Sequence, residues 1–238
     1  MTPAGGAIGV LLGSVLLRLT LSGSYQRYVR EGMRPWLLIA GVAIIAIGLY
    51  ALVRTLGRGG GHGAADDGHT HGHEHGHAGE GIGVGWLLLA PVAALLLVAP
   101  PALGSYGVDR ASKVDVRAGD RVFDSLATRE GPYPLSLLEF SQRGFDQDGQ
   151  SLHGRTVELT GFVAGQAADG FELARYQIAC CAADAAPVVV IVHGTSGEPP
   201  GRDQWVTVTG TYRAGGADFA EIDATSVVQI PTPEDPYE

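Results

Sequence analysis

An unbroken apolar segment in the first quarter of the chain limits what this protein can fold into. Residues 35–53 (PWLLIAGVAIIAIGLYALV) contain no charged side chain over 19 positions. At a rise of about 1.5 Å per residue, an α-helix of this length matches the roughly 30 Å hydrocarbon core of a bilayer. The segment therefore predicts a membrane-spanning helix, with the lipid bilayer as its surroundings.

Two further apolar segments predict additional spans. The first, at about residues 4–21, is rich in glycine and carries Arg18 near its end, where a long side chain can reach the headgroups. A secretory signal peptide is the alternative for this segment, but no basic residue precedes its apolar stretch. The second lies within residues 81–104 and is most apolar from residue 86 onward. We therefore expect a multi-pass protein of the cell membrane, with two helices in residues 1–56 and a third in 81–104.

The distribution of basic residues predicts the orientation of these spans. Three spans place the connection between the first two helices on the same side as the C-terminal region. That side then carries Arg27, Arg30, Arg34, Arg110, Lys113 and Arg117, whereas the other side carries Arg54 and Arg58. Because cytoplasmic loops carry an excess of Lys and Arg, we expect a cytoplasmic C-terminal domain. A two-span arrangement, which would reverse the relation between the termini, is the alternative.

Residues 57–80, between the second and third apolar segments, form a loop rich in glycine and histidine. Six histidines lie within 16 residues: His62, His69, His71, His73, His75 and His77. Imidazole is a good ligand for zinc, copper, nickel and cobalt, and glycine lets a chain wrap several rings around one ion. The loop therefore predicts capture or delivery of zinc or another transition metal. A solvated hydrophilic linker is the alternative.

The composition of residues 105–238 predicts a globular β domain. A short helix is expected near residues 134–145, and five strand-like runs follow it: RTVELTGFVAG, FELARYQIACC, APVVVIVHG, QWVTVTGTYR and FAEIDATSVVQI. Short strands separated by turns favour a small antiparallel barrel or sandwich, and the glycine spacing within two of them is typical of an OB-like barrel. The expected fold class is a membrane α-helical N-terminal unit followed by an all-β (OB-like small barrel) C-terminal domain.

The charge of the C-terminal region and the absence of enzyme motifs exclude some functions. Residues 104–238 contain 10 Lys and Arg against 20 Asp and Glu, a net charge of about −10. An acidic surface repels a phosphate backbone, so we expect no nucleic acid as a partner. The sequence also contains no P-loop, nucleophile elbow or dinucleotide fingerprint, so it assigns no catalytic residue.

The segment ACCAAD contains the chain's two cysteines, Cys180 and Cys181. Because they are adjacent, a disulfide framework is excluded. Together with Asp184, and with His193 at the end of the next expected strand, they form a plausible set of transition-metal ligands. Neighbouring side chains in a regular strand face opposite sides, so joint ligation requires a turn or bulge here. Buried packing residues and a redox pair are the alternatives.

Several short motifs carry a resemblance to a known family. They are the entry to the second span, SGSYQRYVREGMRPWLLIAG, the segments GFV and ACCAADAAPV, and the C-terminal PEDPYE. In this order, and with a His-rich linker before the last span, they resemble the YcgQ-like family of bacterial membrane proteins over most of the chain. The resemblance implies a multi-span permease as a partner and, in some bacteria, an association with zinc homeostasis. It also implies a shared role for Cys180, Cys181 and Asp184.

These features together favour an accessory subunit of a membrane permease or transport system. Three short spans with almost no polar residue beyond Arg18 are too few to enclose a transport pathway. Small residues in the first two helices suit close helix–helix contact. The alternatives are a membrane-tethered metal chaperone or sensor, and an enzyme centred on the Cys-Cys-x-x-Asp segment.

Overall fold

The computed structural model describes residues 3–58, 101–116, 123–194 and 199–238, which fall into two compact units. The first unit contains the helices α1 (Pro3–Leu21) and α2 (Arg34–Arg58). The second unit contains Ala102–Glu238 together with Gln26–Glu31, the central part of the segment between α1 and α2, which we call the connection. The six loop histidines and nearly all of the expected third span lie outside the described residues.

The composition of α2 and its flanks suits a membrane span. The segment Glu31–Thr55 is the one helical segment among the described residues that is both long and apolar enough to cross a bilayer. Many of its large apolar side chains are exposed, among them Trp36, Ile39, Val42 and Ile47. Side chains that face lipid are expected to be apolar and free of protein contacts in this way. The apolar helix Gly5–Leu21 is shorter.

Glycines allow α1 and α2 to pack closely against each other. A Cβ atom at Gly6 would lie 2.9 Å from the carbonyl oxygen of Gly48, and one at Gly13 would lie 2.8 Å from that of Gly41. Real Cβ atoms do not approach a carbonyl oxygen this closely, so the two backbones leave no room for a larger residue. The small residues of the two helices therefore form the contact between them.

The second unit is built on a six-stranded mixed sheet. Its strands are β1 (Tyr133–Pro134), β2 (Thr156–Ala167), β3 (Gly170–Gln177), β4 (Ala186–His193), β5 (Trp205–Arg213) and β6 (Ala220–Gln229). Each of the five runs expected from the sequence forms a strand, β2 to β6. Two short helices precede them, α3 (Ser105–Val108) and α4 (Leu137–Phe145).

Helix α4 begins three residues later than the start of the expected helix. Tyr133 and Pro134 pair with β2 instead, because their backbone is extended. The side chain of Ser136 then accepts a 3.0 Å hydrogen bond from the N–H of Glu139, which makes Ser136 the N-cap. Serine at this position satisfies an N–H group that would otherwise have no partner.

Besides its short pairing with β1, strand β2 pairs with two other strands along its length. Its residues 156–162 pair antiparallel with β5, and its residues 162–167 pair antiparallel with β3. The other pairings are β3 with β4 and β5 with β6, both antiparallel, and β4 with β6, which is parallel. With β1 left aside, each strand from β2 to β6 has two neighbours, and the sequence of pairings returns to β2.

The parallel pairing of β4 with β6 differs from the antiparallel arrangement that the sequence favours. It arises because β5 lies between these strands in the chain and runs antiparallel to β6. The chain thus reverses twice between β4 and β6, and the two strands point the same way. Such a pair has no local turn signal, since no hairpin joins its strands.

The buried side chains of the second unit form two clusters. The larger cluster contains alternating residues of the strands together with Leu137 and Phe140 of α4, both fully buried. The smaller cluster contains Phe162, Tyr176, Trp205 and Tyr237, among others. The ring of Phe162 stacks on Tyr176 and meets Trp205 edge-on, with centroids 5.9 and 5.6 Å apart. This aromatic cluster fixes the end of β3, where the cysteines follow.

Candidate metal centre

A tight turn after β3 carries both cysteines. The strand ends at Gln177, and a single 3-10 turn, Ala182–Asp184, precedes β4. Cys181 is the N-cap of that turn, with an extended backbone (φ −155°, ψ 169°), and its carbonyl accepts a 3.0 Å hydrogen bond from the N–H of Asp184. The turn supplies the break in strand geometry that joint use of both thiols requires, and the two sulfurs lie 3.7 Å apart.

The side chain of Asp184 organises this turn. Its Oδ1 accepts a hydrogen bond from the N–H of Ala179 at 2.7 Å. Its Oδ2 accepts hydrogen bonds from the N–H groups of Cys180 and Cys181, at 2.9 and 3.0 Å, and from the Cys180 thiol at 2.8 Å. The bond from the thiol and the three backbone bonds hold the pKa of the Asp184 carboxyl well below its usual range.

The same contacts have the opposite effect on the pKa of the Cys180 thiol. Its hydrogen bond to Asp184, and then its hydrogen bond to Cys181, raise the pKa of the Cys180 thiol to about 12. Because only the thiolate is a good nucleophile, Cys180 is poorly reactive at neutral pH without a nearby cation. This environment disfavours an enzymatic or redox role that depends on a free Cys180 thiolate.

Both thiols can be reached from solvent. Cys180 is exposed and Cys181 is half-buried, so the alternative of buried packing residues is wrong for Cys180. The two sulfurs and a carboxylate oxygen of Asp184 all lie within 4.8 Å of one another. In the part of the chain that the structure describes, this trio is the one group of three or more His, Cys, Asp or Glu side chains with metal-ligand spacing.

The connection between α1 and α2 contacts the cysteine turn. The N–H of Arg30 donates a 3.2 Å hydrogen bond to the carbonyl of Cys180, and the N–H of Ala182 donates a 2.7 Å bond to the carbonyl of Tyr28. Between them, Val29 and Cys181 form an isolated antiparallel bridge. Sequence reasoning missed these residues, because a bridge of one residue pair made by backbone groups has no side-chain signature.

The segment PEDPYE contacts the same region. The hydroxyl of Tyr237 donates a 2.7 Å hydrogen bond to the carbonyl of Arg27 and accepts a 3.4 Å bond from the N–H of Leu103. Arg175 of β3 donates to the carbonyls of Asp235 and Tyr237, at 2.8 and 3.0 Å. The connection, the cysteine segment and the C-terminal segment, three motifs that carry the family resemblance, thus meet in one place.

His193 lies away from this trio. In the pairing of β3 with β4, Ala186 lies opposite Gln177, next to the cysteine turn, whereas His193 lies opposite Gly170. At about 3.4 Å per residue, His193 is roughly 24 Å along the strand from Ala186. Its Nε2 lies 2.9 Å from a carboxylate oxygen of Glu221. Of the four cysteine-segment ligands expected from the sequence, the structure brings together Cys180, Cys181 and Asp184.

Comparison with protein-family models identifies the family. The DUF1980 N-terminal domain matches residues 6–111, and the DUF1980 C-terminal domain matches residues 144–238. The chain belongs to the DUF1980 family. Neither a curated protein nor a solved structure matches this DUF1980 protein. The backbone bonds of Tyr28 and Arg30 to the cysteine turn therefore join a segment of the matched N-terminal domain to the matched C-terminal domain.

Proposed function

We propose that this DUF1980 protein is a membrane-anchored accessory subunit of a permease or similar transport system. The observation that carries the proposal is that Gln26–Glu31, the connection between two apolar helices, belongs to the same compact unit as the C-terminal domain. The domain is therefore attached to the helices through this connection as well as through the chain that leads into Ala102. Such double attachment suits a domain that must stay at one position on a membrane surface, beside a partner.

The connection also favours three membrane crossings. If α2 crosses the membrane, Glu31 and Arg58 lie on opposite sides of it, and the C-terminal domain lies on the side of Glu31. The chain must then cross again before Ala102, and residues 86–103 are the apolar stretch available. In this multi-pass arrangement, the histidine loop and the cysteine turn lie on opposite sides of the membrane.

Charge on the connection supports a cytoplasmic C-terminal domain. Arg27, Arg30 and Arg34 all have exposed side chains and lie on or directly after the connection. Arginine close to the end of a span is enriched on the cytoplasmic side. We therefore assign the C-terminal domain to the cytoplasmic face of the cell membrane.

For the C-terminal domain we infer an OB-like barrel. The strand pairings run in the order β2-β3-β4-β6-β5 and return to β2, and the β4–β6 pair is the parallel one among them. A five-stranded sheet that closes on itself is characteristic of this fold. The barrel would serve as a rigid support for the cysteine turn, which follows its second strand.

The permease is proposed as the partner on two grounds. Helices α1 and α2 are too few to enclose a pathway, and Arg18 is the charged side chain that lies inside their apolar sequence. The exposed apolar surface of α2, in contrast, suits packing on a larger membrane protein. The resemblance to the YcgQ-like family also implies a multi-span permease, and zinc as the candidate metal.

Affinity purification from native membranes in mild detergent tests this proposal. A multi-span permease is expected to copurify in comparable amount. The triple variant Ile39→Ala, Val42→Ala and Ile47→Ala, which trims exposed side chains of α2, should reduce the recovered permease several-fold. Val228→Ala, which trims an exposed residue of the C-terminal domain, is the control and should change nothing. Recovery of monomers alone, with no permease, would overturn the proposal.

A second candidate function is that of a membrane-tethered metal chaperone or sensor. The observation that favours it is the exposed trio Cys180, Cys181 and Asp184. With three spans, however, direct transfer from the histidine loop to this trio would require a conduit through the membrane. An enzyme is disfavoured by the hydrogen bond that keeps the Cys180 thiol protonated.

A further inference from the structure

We propose that Cys180, Cys181 and Asp184 bind one thiophilic divalent cation of the zinc group through three ligands and leave a fourth coordination position open for a partner. This inference deepens the proposed function by naming the ligand class of the cysteine turn. It rests on the proposed function only for the partner that supplies the fourth ligand.

The spacing of the two sulfurs fits a shared ion. Thiolates bound to zinc at about 2.3 Å, with tetrahedral angles, lie about 3.8 Å from each other. The sulfurs of Cys180 and Cys181 lie 3.7 Å apart. Neighbouring side chains in a regular strand would face opposite sides, so this spacing is a property of the turn at Cys181. The turn therefore holds both sulfurs ready for one ion.

Binding of the cation requires a small movement of the Asp184 carboxylate. Its Oδ2 lies 2.8 Å from the sulfur of Cys180. An oxygen and a sulfur bound to the same zinc ion, at about 2.0 and 2.3 Å, lie roughly 3.5 Å apart. Asp184 would thus move back by about 0.7 Å as the cation replaces the thiol proton. In the balanced reaction, two S–H bonds break and their protons leave to solvent, water ligands leave the hydrated cation as two S–metal bonds and one O–metal bond form, and nothing is oxidised or reduced.

Backbone bonds keep the ligands in place during this exchange. Asp184 retains its hydrogen bonds from the N–H groups of Ala179, Cys180 and Cys181 when the thiol proton leaves. Tyr28 and Arg30 hold the turn from the other side through the N–H of Ala182 and the carbonyl of Cys180. Ligands fixed by surrounding groups need little reorganisation to bind, which favours affinity.

The exposure of the trio indicates an exchange site. Structural zinc sites are closed by four protein ligands, whereas sites that keep an open position use three. Here Cys180 and Asp184 are exposed, Cys181 is half-buried, and no fourth Cys, His, Asp or Glu of the described residues joins the cluster. The fourth ligand would come from solvent or from a partner that receives or delivers the ion.

Titration of the full-length, reduced and metal-free protein with Cd²⁺ or Co²⁺ tests the inference. Thiolate ligands produce charge-transfer absorption that the histidine loop does not. About one equivalent of ion should develop the band fully. Cys180→Ser and Cys181→Ser should each weaken the band strongly, and the double variant should abolish it. Asp184→Asn should lower the affinity about tenfold or more, because it removes a charged ligand.

Two controls make the result specific. Replacing the six loop histidines with alanine should leave the charge-transfer band unchanged, since these residues supply no sulfur. In the unaltered protein, one equivalent of Cd²⁺ should protect both cysteines from alkylation, which avoids any effect of a substitution on folding. A band that persists in the double serine variant, or cysteines that stay unprotected, would overturn the metal site.

The open position has its own test. Imidazole added to the Co²⁺ form should change the visible absorption as it enters the coordination shell. An unchanged spectrum would overturn the open position. If the thiolate band is absent while a permease copurifies, the metal site fails alone. If the band is present and no permease copurifies, the accessory-subunit role fails instead.

Discussion

The N–H of Ala182 in the cysteine turn donates a 2.7 Å hydrogen bond to the carbonyl of Tyr28 in the connection between α1 and α2. A bond between backbone groups depends on the position of both segments and not on their side chains. The turn and the connection therefore hold each other in place, and a change in one should be measurable in the other.

Ala182→Pro removes this N–H group and places the proline Cδ against the carbonyl of Tyr28, so the turn and the connection must move apart. Ala182 is the first residue of its 3-10 turn, and Cys181 before it is already extended, as a residue before proline must be. The lost hydrogen bond, worth about 0.5–1.5 kcal/mol, should by itself speed amide exchange of Arg30 roughly two- to twelvefold, and the clash should add to this. Ala182→Ser, which keeps the N–H, is the control. Equal exchange in both variants would contradict the tie between turn and connection.

Asp184→Asn should make Cys180 more reactive toward alkylation. The hydrogen bond to the Asp184 carboxylate is the largest cause of the rise in the pKa of the Cys180 thiol to about 12. Because each pKa unit changes the thiolate fraction tenfold, removing the charge should speed alkylation at pH 8 by about tenfold or more. Mass spectrometry of the peptide after timed alkylation measures the rate.

Asp218→Asn is the matched control for this change. It alters the net charge equally, but at an exposed position on another part of the domain. In the unaltered protein, the alkylation rate of Cys180 should keep rising above pH 9, since the titration midpoint lies near its pKa of about 12. A plateau below pH 9, or equal rates in the two variants, would refute this account of the thiol.

Much of the fold follows from sequence patterns that act locally. The five runs from which β2 to β6 form are rich in β-branched and aromatic residues, which favour strands. The uncharged residues 35–53 all lie within α2, because an apolar segment long enough to cross a bilayer favours one continuous helix. The need for a break at Cys181 also followed from strand alternation, and the 3-10 turn meets it.

The contacts that build the site depend on residues far apart in the chain. The bonds of Tyr28 and Arg30 to the cysteine turn involve backbone groups, which every residue carries, so no residue type marks them. For a related reason, the sequence does not show that His193 lies far from the cysteine turn. Its run identifies a strand end, but which end lies beside the cysteines depends on the antiparallel pairing of β3 with β4.

Gly48→Ala should destabilise the pair of helices α1 and α2. The added Cβ would lie 2.8 Å from the carbonyl oxygen of Gly6 and 2.9 Å from the N of Val10, so the helices must move apart. Gly57→Ala is the control, because a Cβ there meets nothing within 4 Å and alanine is the better helix former by about 1 kcal/mol. In mild detergent, Gly48→Ala should lower the melting temperature and Gly57→Ala should not. Equal melting temperatures would contradict the close glycine contact.

We expect the side chain of Glu238 to make the stability of the C-terminal domain depend on pH. Its Oε1 and Oε2 accept hydrogen bonds from the N–H groups of Leu137 and Leu138, at 2.8 and 3.2 Å, at the start of α4. Burial raises the pKa of the Glu238 carboxyl, although these two bonds act to lower it. The folded protein therefore holds this proton more tightly than the unfolded chain, whose glutamate pKa is about 4.3.

Because the folded protein binds this proton more tightly, Glu238 favours the folded state more at low pH than at high pH. The stability contributed by Glu238 is fully present below the unfolded pKa and is lost as pH rises through the higher folded pKa. Glu238→Gln, whose single side-chain oxygen can still accept from one of the two N–H groups, does not titrate and should remove that decline, so the variant should lose less stability than the parent as pH rises above about 4.3. Melting temperature against pH measures it, with the exposed Glu234→Gln as control. If Glu238→Gln and Glu234→Gln gave the same profile, the Glu238 carboxylate would not be the group that titrates.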